Sequence, residues 1–112
     1  MASSKELLQQ AAAFHSKGDL AHAEKCYRKL LASNPNDAQV LHLLGVGLFQ
    51  QNRASDAEEL IQRAVQFDAK TAEYHNNLGI VLDGLKKYEE AVQSYRRALT
   101  LNANYPEAHN NL

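Results

Sequence analysis

Five histidines and one cysteine are the residues of this chain best suited to hold a metal ion or to act as a nucleophile. Their spacing argues against both uses. His15, His22, His42, His75 and His109 include no pair four residues apart, the spacing that sets two imidazoles on one helix face, and no cysteine cluster stands near any of them. They read as partly buried packing residues, and no metal is expected. Cys26 has no second cysteine to pair with. His22 lies within helical reach of it, but a reactive thiolate needs a positioned basic partner, and packing is the simpler role. Asp56, Glu58, Glu59, Glu89 and Glu90 fall where helices open, and carboxylates there are favoured by the helix dipole. No Ser-His-Asp order, Gly-rich phosphate loop or convergent carboxylate pair stands out. No catalytic residue, no cofactor and no enzyme activity within these residues is expected.

What recurs instead is a pair of amides. Asn110-Asn111-Leu112 repeats Asn76-Asn77-Leu78 at a distance of 34 residues, and that distance runs through the chain. Ala23, Ala57 and Ala91 keep it, as do Ala11, Gly45 and Gly79, and Phe14, Leu48 and Leu82. Tyr27, Ile61 and Tyr95 keep it too, with Leu30, Ala64 and Ala98. A sustained period of this length marks a solenoid, whose units bury their apolar faces against their neighbours.

Each period holds two amphipathic helical patterns. Leu41, Leu44, Gly45 and Leu48 mark one face at 3-4-3 spacing, and Ala57, Ile61, Ala64 and Val65 mark another. Only Gln51-Asn52-Arg53 separates them, so the helices must be antiparallel. Gly18 suits a helix C-terminus, Ser3 with Glu6 has capping-box spacing, Pro35 stops a helix and Asp37 can cap the next. The small residues at the 11/45/79 and 23/57/91 positions allow two helices to approach closely. The expected architecture is all-α: three helix pairs in one domain over 1–112, with repeats at about 4–37, 38–71 and 72–105 and a partial fourth over 106–112, about seven helices in all.

Leu44-Gly45, Leu48, Ala57, Ile61 and Ala64, then Leu78-Gly79, Leu82, Ala91, Tyr95 and Ala98, resemble the tetratricopeptide repeat. The first unit departs at Gln10; Leu41 and His75 stand where the family often has Trp, and Ala69 and Ala103 where it often has Pro. Val40 to Gly45 and Glu73 to Gly79 also resemble the repeat arms of bacterial proteins similar to O-linked N-acetylglucosamine transferase, in which an Asn before Leu-Gly lines the inner groove. Asn77 and Asn111 match that position; Leu43 and Gln9 do not.

The resemblance implies a right-handed solenoid whose first helices line a concave side. It puts Lys5, Leu8, Gln9, Ala12 and His15 there, and Gln39, His42, Leu43, Val46, Phe49 and Gln50 from the second unit. Glu73, Asn76, Asn77, Ile80 and Asp83 follow, then Glu107, Asn110 and Asn111. An Asn amide both donates and accepts, which suits it to gripping an extended peptide. The peptide-binding residues expected are Gln39, His42, Val46, Phe49, Glu73, Asn76, Asn77, Ile80, Asn110 and Asn111. A terminal-carboxylate ligand is not expected, because the positions that clamp one in some relatives hold Leu8, Ala12, Leu43, Glu73 and Asn77.

The expected function is a protein–protein interaction scaffold with a protein or peptide partner. The alternatives are a substrate-selecting arm of a larger glycosyltransferase and an oligomerisation module that self-associates through the open last unit. Net charge is −1 and the Lys and Arg residues are scattered among acidic ones, so no basic stripe for nucleic acid is seen. No apolar run reaches membrane-spanning length, and the N-terminal residues lack a signal-peptide core. A cytoplasmic location is expected.

Overall fold

A computed structural model describes residues 3–112. Met1 and Ala2, with which the expected domain begins, lie outside the described residues. Seven α-helices and no strand occur among the described residues: α1 Ser4–Ser16, α2 Leu20–Ser33, α3 Ala38–Gln50, α4 Ala54–Phe67, α5 Ala72–Gly84, α6 Tyr88–Leu101 and α7 Pro106–Asn111. The starts of α1, α3, α5 and α7 are each 34 residues apart, and so are those of α2, α4 and α6.

Local chemistry sets the ends. Ser3 Oγ accepts from the Glu6 N–H, Asp19 accepts from the His22 N–H, and Asp37 accepts from the Val40 N–H, so the first three helices are side-chain capped. Pro106 occupies the first turn of α7, where its missing N–H goes unneeded. The turn inside each pair is one motif used three times. Gly18, Asn52 and Lys86 hold φ of 80°, 63° and 63°. The N–H of each reaches back three residues, and the next N–H reaches back five, as in Asp19 to Phe14, Arg53 to Leu48 and Lys87 to Leu82. Glycine adopts this backbone freely, asparagine with some ease, and lysine under strain. Lys86→Gly should therefore raise stability by about 1 kcal/mol; an unchanged urea midpoint would mean that the strain is relieved elsewhere.

Within a pair the helices touch closely where side chains are smallest. A Cβ on Gly45 would lie 2.5 Å from Ile61 Cγ1, and one on Gly79 would lie 2.5 Å from Tyr95 Cε1. The glycines therefore make room for the large residue at position 61 or 95, and this contact offsets the roughly 1 kcal/mol that glycine costs a helix. Ala11, Leu44, Leu48, Ala57, Ile61, Leu82, Ala91 and Tyr95 make one continuous buried core across all three pairs. Each second helix also packs on the next first helix, α2 on α3, α4 on α5 and α6 on α7. Neighbouring first helices meet as well, α3 on α5 and α5 on α7, so the stack curves inward on their side. The result is an elongated body of 43 × 26 × 21 Å.

Candidate functional site

The inner face is built by translation, so that contacts between neighbouring units recur with the repeat. His42 on α3 accepts at Nε2 from the Asn77 amide of α5, 2.7 Å away. One repeat further, Asn76 Oδ1 accepts from the Asn111 amide of α7 at 3.3 Å. Asn76 in turn donates to Asn77 Oδ1 at 3.4 Å. The four side chains form a relay in one direction, Asn111 to Asn76 to Asn77 to His42, that crosses three units.

Burial explains the state of His42. The residue is 3% exposed, and its ring lies 4.5 Å from that of Tyr74. Desolvation lowers its pKa from 6.5 to about 4. It is therefore neutral at pH 7, with its proton on Nδ1 because Nε2 accepts. Nδ1 points towards Glu73 Oε1 at 3.9 Å, too far for a hydrogen bond, and the neutral imidazole leaves the Glu73 charge uncompensated.

A second recurring contact joins position 15 of one unit to position 50 of the next. His15 Nε2 donates to Gln50 Oε1 at 2.7 Å; one repeat on, the Phe49 ring packs against Gly84, where an added Cβ would lie 2.8 Å from Cε1. A third lies at the turns: Arg53 pairs with Glu24 at 3.0 Å, and Lys87 with Glu58 at 2.9 Å. These ion pairs are partly exposed, so each adds at most about 1 kcal/mol.

Inside each pair, the residue at position 15, 49 or 83 is matched to the large residue at position 27, 61 or 95. Tyr27 donates its hydroxyl to His15 Nδ1 at 3.0 Å, and Tyr95 donates to Asp83 at 2.8 Å. Between them, Phe49 and Ile61, which carry no polar side-chain atom to satisfy, line a shared hollow. Burial, reinforced by the Asp83 carboxylate, raises the Tyr95 phenol well above its ordinary range. Asp83→Leu strands this hydroxyl and should cost about 1–2 kcal/mol in urea unfolding. Combining Asp83→Phe with Tyr95→Ile, which copies the middle unit, should recover most of that loss. A double variant no better than the single would dissolve the proposed matching.

The ten residues expected to meet a ligand divide into three groups. Val46, Phe49, Ile80 and Asn77 come together around a hollow of about 250 Å³. Val46 and Asn77 also line an adjoining hollow of about 360 Å³ with His15, Leu43 and Glu73. Glu73 continues into a third, of about 380 Å³, with Tyr105 and Glu107. Gln39, Glu73, Asn110 and Asn111 are exposed. His42 and Asn76, by contrast, are each 3% exposed: they have almost no surface to offer and act from behind, by orienting Asn77 and Asn111. A fourth hollow, of about 310 Å³, opens between α4 and α6, and His75 and Ser94 are among its lining residues.

The other histidines are also held. His22 donates from Nδ1 to the Asp19 carboxylate at 2.7 Å and stacks on Phe14. His75 donates to the Ala69 carbonyl at 2.8 Å, and His109 repeats this with the Ala103 carbonyl at 2.9 Å. Cys26 is buried. Among the described residues, no group of three or more His, Cys, Asp or Glu side chains could hold a metal ion, and no helix is long and apolar enough to cross a membrane.

Paired antiparallel helices, stacked with a fixed period around an inner groove, define a helix-pair repeat solenoid, a class typical of protein–protein interaction scaffolds. Sequence profiles described as tetratricopeptide repeat match residues 14–78 and 72–105. The chain belongs to the tetratricopeptide repeat family. Human superkiller complex protein 3 is 35% identical to it over 69 residues, a stretch covering 62% of this chain and 4% of that protein. The chain thus corresponds to a small part of that relative's length. Among solved structures, the O-GlcNAc transferase of Thermobaculum terrenum is 32% identical with a TM-score of 0.93, covering 100% of this chain and 22% of that one. The first tetratricopeptide domain of Spaghetti (RPAP3), bound to the HSP90 peptide SRMEEVD, is 25% identical with a TM-score of 0.94, covering 97% and 86%.

Proposed function

We propose that this protein binds an extended peptide segment of a partner along the inner groove. The observation that carries the reading is the run of three adjoining hollows, in which the apolar walls of Val46, Phe49 and Ile80 alternate with the Asn77 amide. Apolar spots take alternate side chains of an extended segment, while an amide bonds its backbone whatever the sequence. The relay behind Asn77 supports the reading, because an amide whose rotamer is held loses less freedom on binding. A similar domain holds a peptide, which adds support by analogy.

Selection from a displayed library of eight-residue segments tests this. Wild-type protein should enrich binders, and Val46→Gln with Ile80→Gln should lose most of them while keeping its helical content and cooperative melt. Binders retained equally by that variant would place the interaction elsewhere.

A second reading has its own support. The match to the Thermobaculum terrenum transferase takes in the whole of this chain. On that reading the groove selects protein substrates for a catalytic domain. Transfer of N-acetylglucosamine by the product of the complete gene, lowered by the same two substitutions, would establish it; a gene product lacking transfer activity would remove it.

A further inference from the structure

The charges of this solenoid are sorted by layer. Of the 12 Lys and Arg residues, Lys5 alone lies on a first helix; the other 11 are on second helices or in the turns. The first helices carry Glu6, Glu73, Asp83 and Glu107. From the second unit onward, therefore, the first helices carry no Lys or Arg, and α5 and α7 carry carboxylates. One register position makes the trend explicit. Lys5, Gln39, Glu73 and Glu107 are successive occupants of the same place, 34 residues apart, so that the groove edge passes from cationic through neutral to anionic.

The anionic end is not internally neutralised. Glu73 is 61% exposed at its side chain, and its one cationic candidate, His42, is neutral at pH 7. Glu73 and Glu107 converge on the hollow that Tyr105 lines, and no Lys or Arg lines it. Their joint field also helps to raise the Tyr105 phenol, after the effect of its burial. The apolar hollow formed by Val46, Phe49 and Ile80 lies next to this end, connected through Asn77 and Glu73.

Resting on the groove reading above, we infer that the occupant is a basic protein segment, with apolar side chains seated at Val46, Phe49 and Ile80 and an Arg or Lys facing Glu73 and Glu107. Charge complementarity is the argument, because an anionic wall both attracts such a segment and rejects an acidic one. The chemistry is opposite in sign to SRMEEVD, the acidic peptide held by the similar Spaghetti domain. A guanidinium suits two carboxylates on separate helices, since its planar fork can address both.

Three fluorescein-labelled pools of eight-residue peptides provide the test. All share an Ala/Leu/Val/Asn background; one carries two Arg, one two citrulline (the neutral isostere) and one two Glu. The Arg pool should bind most tightly by fluorescence anisotropy and weaken as salt rises. Glu73→Gln with Glu107→Gln should lower its affinity roughly three- to tenfold, as expected for two partly exposed ion pairs, and leave the citrulline pool unchanged. Glu107→Gln alone, on an exposed side chain, should give a smaller loss in the same direction. Equal binding of all three pools would overturn the basic-segment inference and leave the groove reading standing. Preference for the Glu pool, or a dimer that the Arg pool cannot dissociate, would also overturn it. No binding by any pool would remove both.

Discussion

Ala57→Glu should abolish cooperative folding at 25 °C, with a loss of at least about 4 kcal/mol. Ala57 is fully buried at the closest approach of α3 and α4. Its carbonyl oxygen lies 3.3 Å from where a Gly45 Cβ would be, so a larger side chain here has no room. An ionised carboxylate would also be left without a partner in an apolar core, the case in which burial costs most. Because the first and third pairs both stack on the middle one, the damage should spread beyond α3 and α4. Far-UV circular dichroism and urea unfolding measure it. Ser55→Glu is the control: that residue is exposed in the first turn of the same helix, where a carboxylate is favoured, and it should melt like the wild type. If Ala57→Glu melts like Ser55→Glu, the packing of α3 on α4 described above is incorrect.

Acid should destabilise the protein well before its carboxylates titrate. The unfolded chain takes up a proton at His42 near pH 6.5, whereas the folded chain resists until about pH 4. Between those values the unfolded state binds more protons, so stability is complete above pH 6.5 and falls as pH drops. The full difference is about 3 kcal/mol, and no further loss comes from this group below pH 4. Protonation would also turn Nε2 from acceptor to donor, so that it opposes the Asn77 amide. Asp19, held down by the His22 backbone N–H, and Asp68, held down by the Thr71 hydroxyl, add their losses only below about pH 3.8. Urea unfolding at pH 7 and pH 4.5 measures the effect. His42→Gln keeps an acceptor for Asn77 and cannot titrate, so it should flatten the dependence over this window. A slope equal to the wild type's would assign the titration to another group.

Much of the fold was legible in the sequence because steric rules act within one period. Gly45 and Gly79 announced close helix approach, and the structure sets Ile61 and Tyr95 against them. Gly18 announced a left-handed turn; Asn52 and Lys86 did not, because lysine is a poor marker of such a backbone. The site was legible only in part. Helix periodicity can say which face a residue shares, but not whether its neighbour closes over it. Hence periodicity places His42 and Asn76 on the groove side but does not show that each is buried. What went unread were the contacts between units. They recur at fixed offsets: 35 residues for His42/Asn77 and Asn76/Asn111, 29 for Glu24/Arg53 and Glu58/Lys87. Comparing complementary residue types at those offsets would have found them. One family departure is matched by another: His75, where the family often has Trp, donates to the carbonyl of Ala69, where it often has Pro, and His109 repeats this bond with Ala103.

The matched pairs have a consequence for how such a chain can be copied. His15 with Tyr27 and Asp83 with Tyr95 each lie inside one helix pair, so a duplication of the whole pair brings both partners with it. A recombination joint at the turn between the two helices separates them and leaves a phenol without its acceptor. The His42–Asn77 bond behaves in the opposite way, since it bridges two pairs and any shuffling of pair order divides it. Gene rearrangement can therefore lengthen this solenoid and keep these in-pair bonds while rewriting its groove at each new junction, which makes the phenol contacts heritable by the unit and recognition heritable only by the order of units.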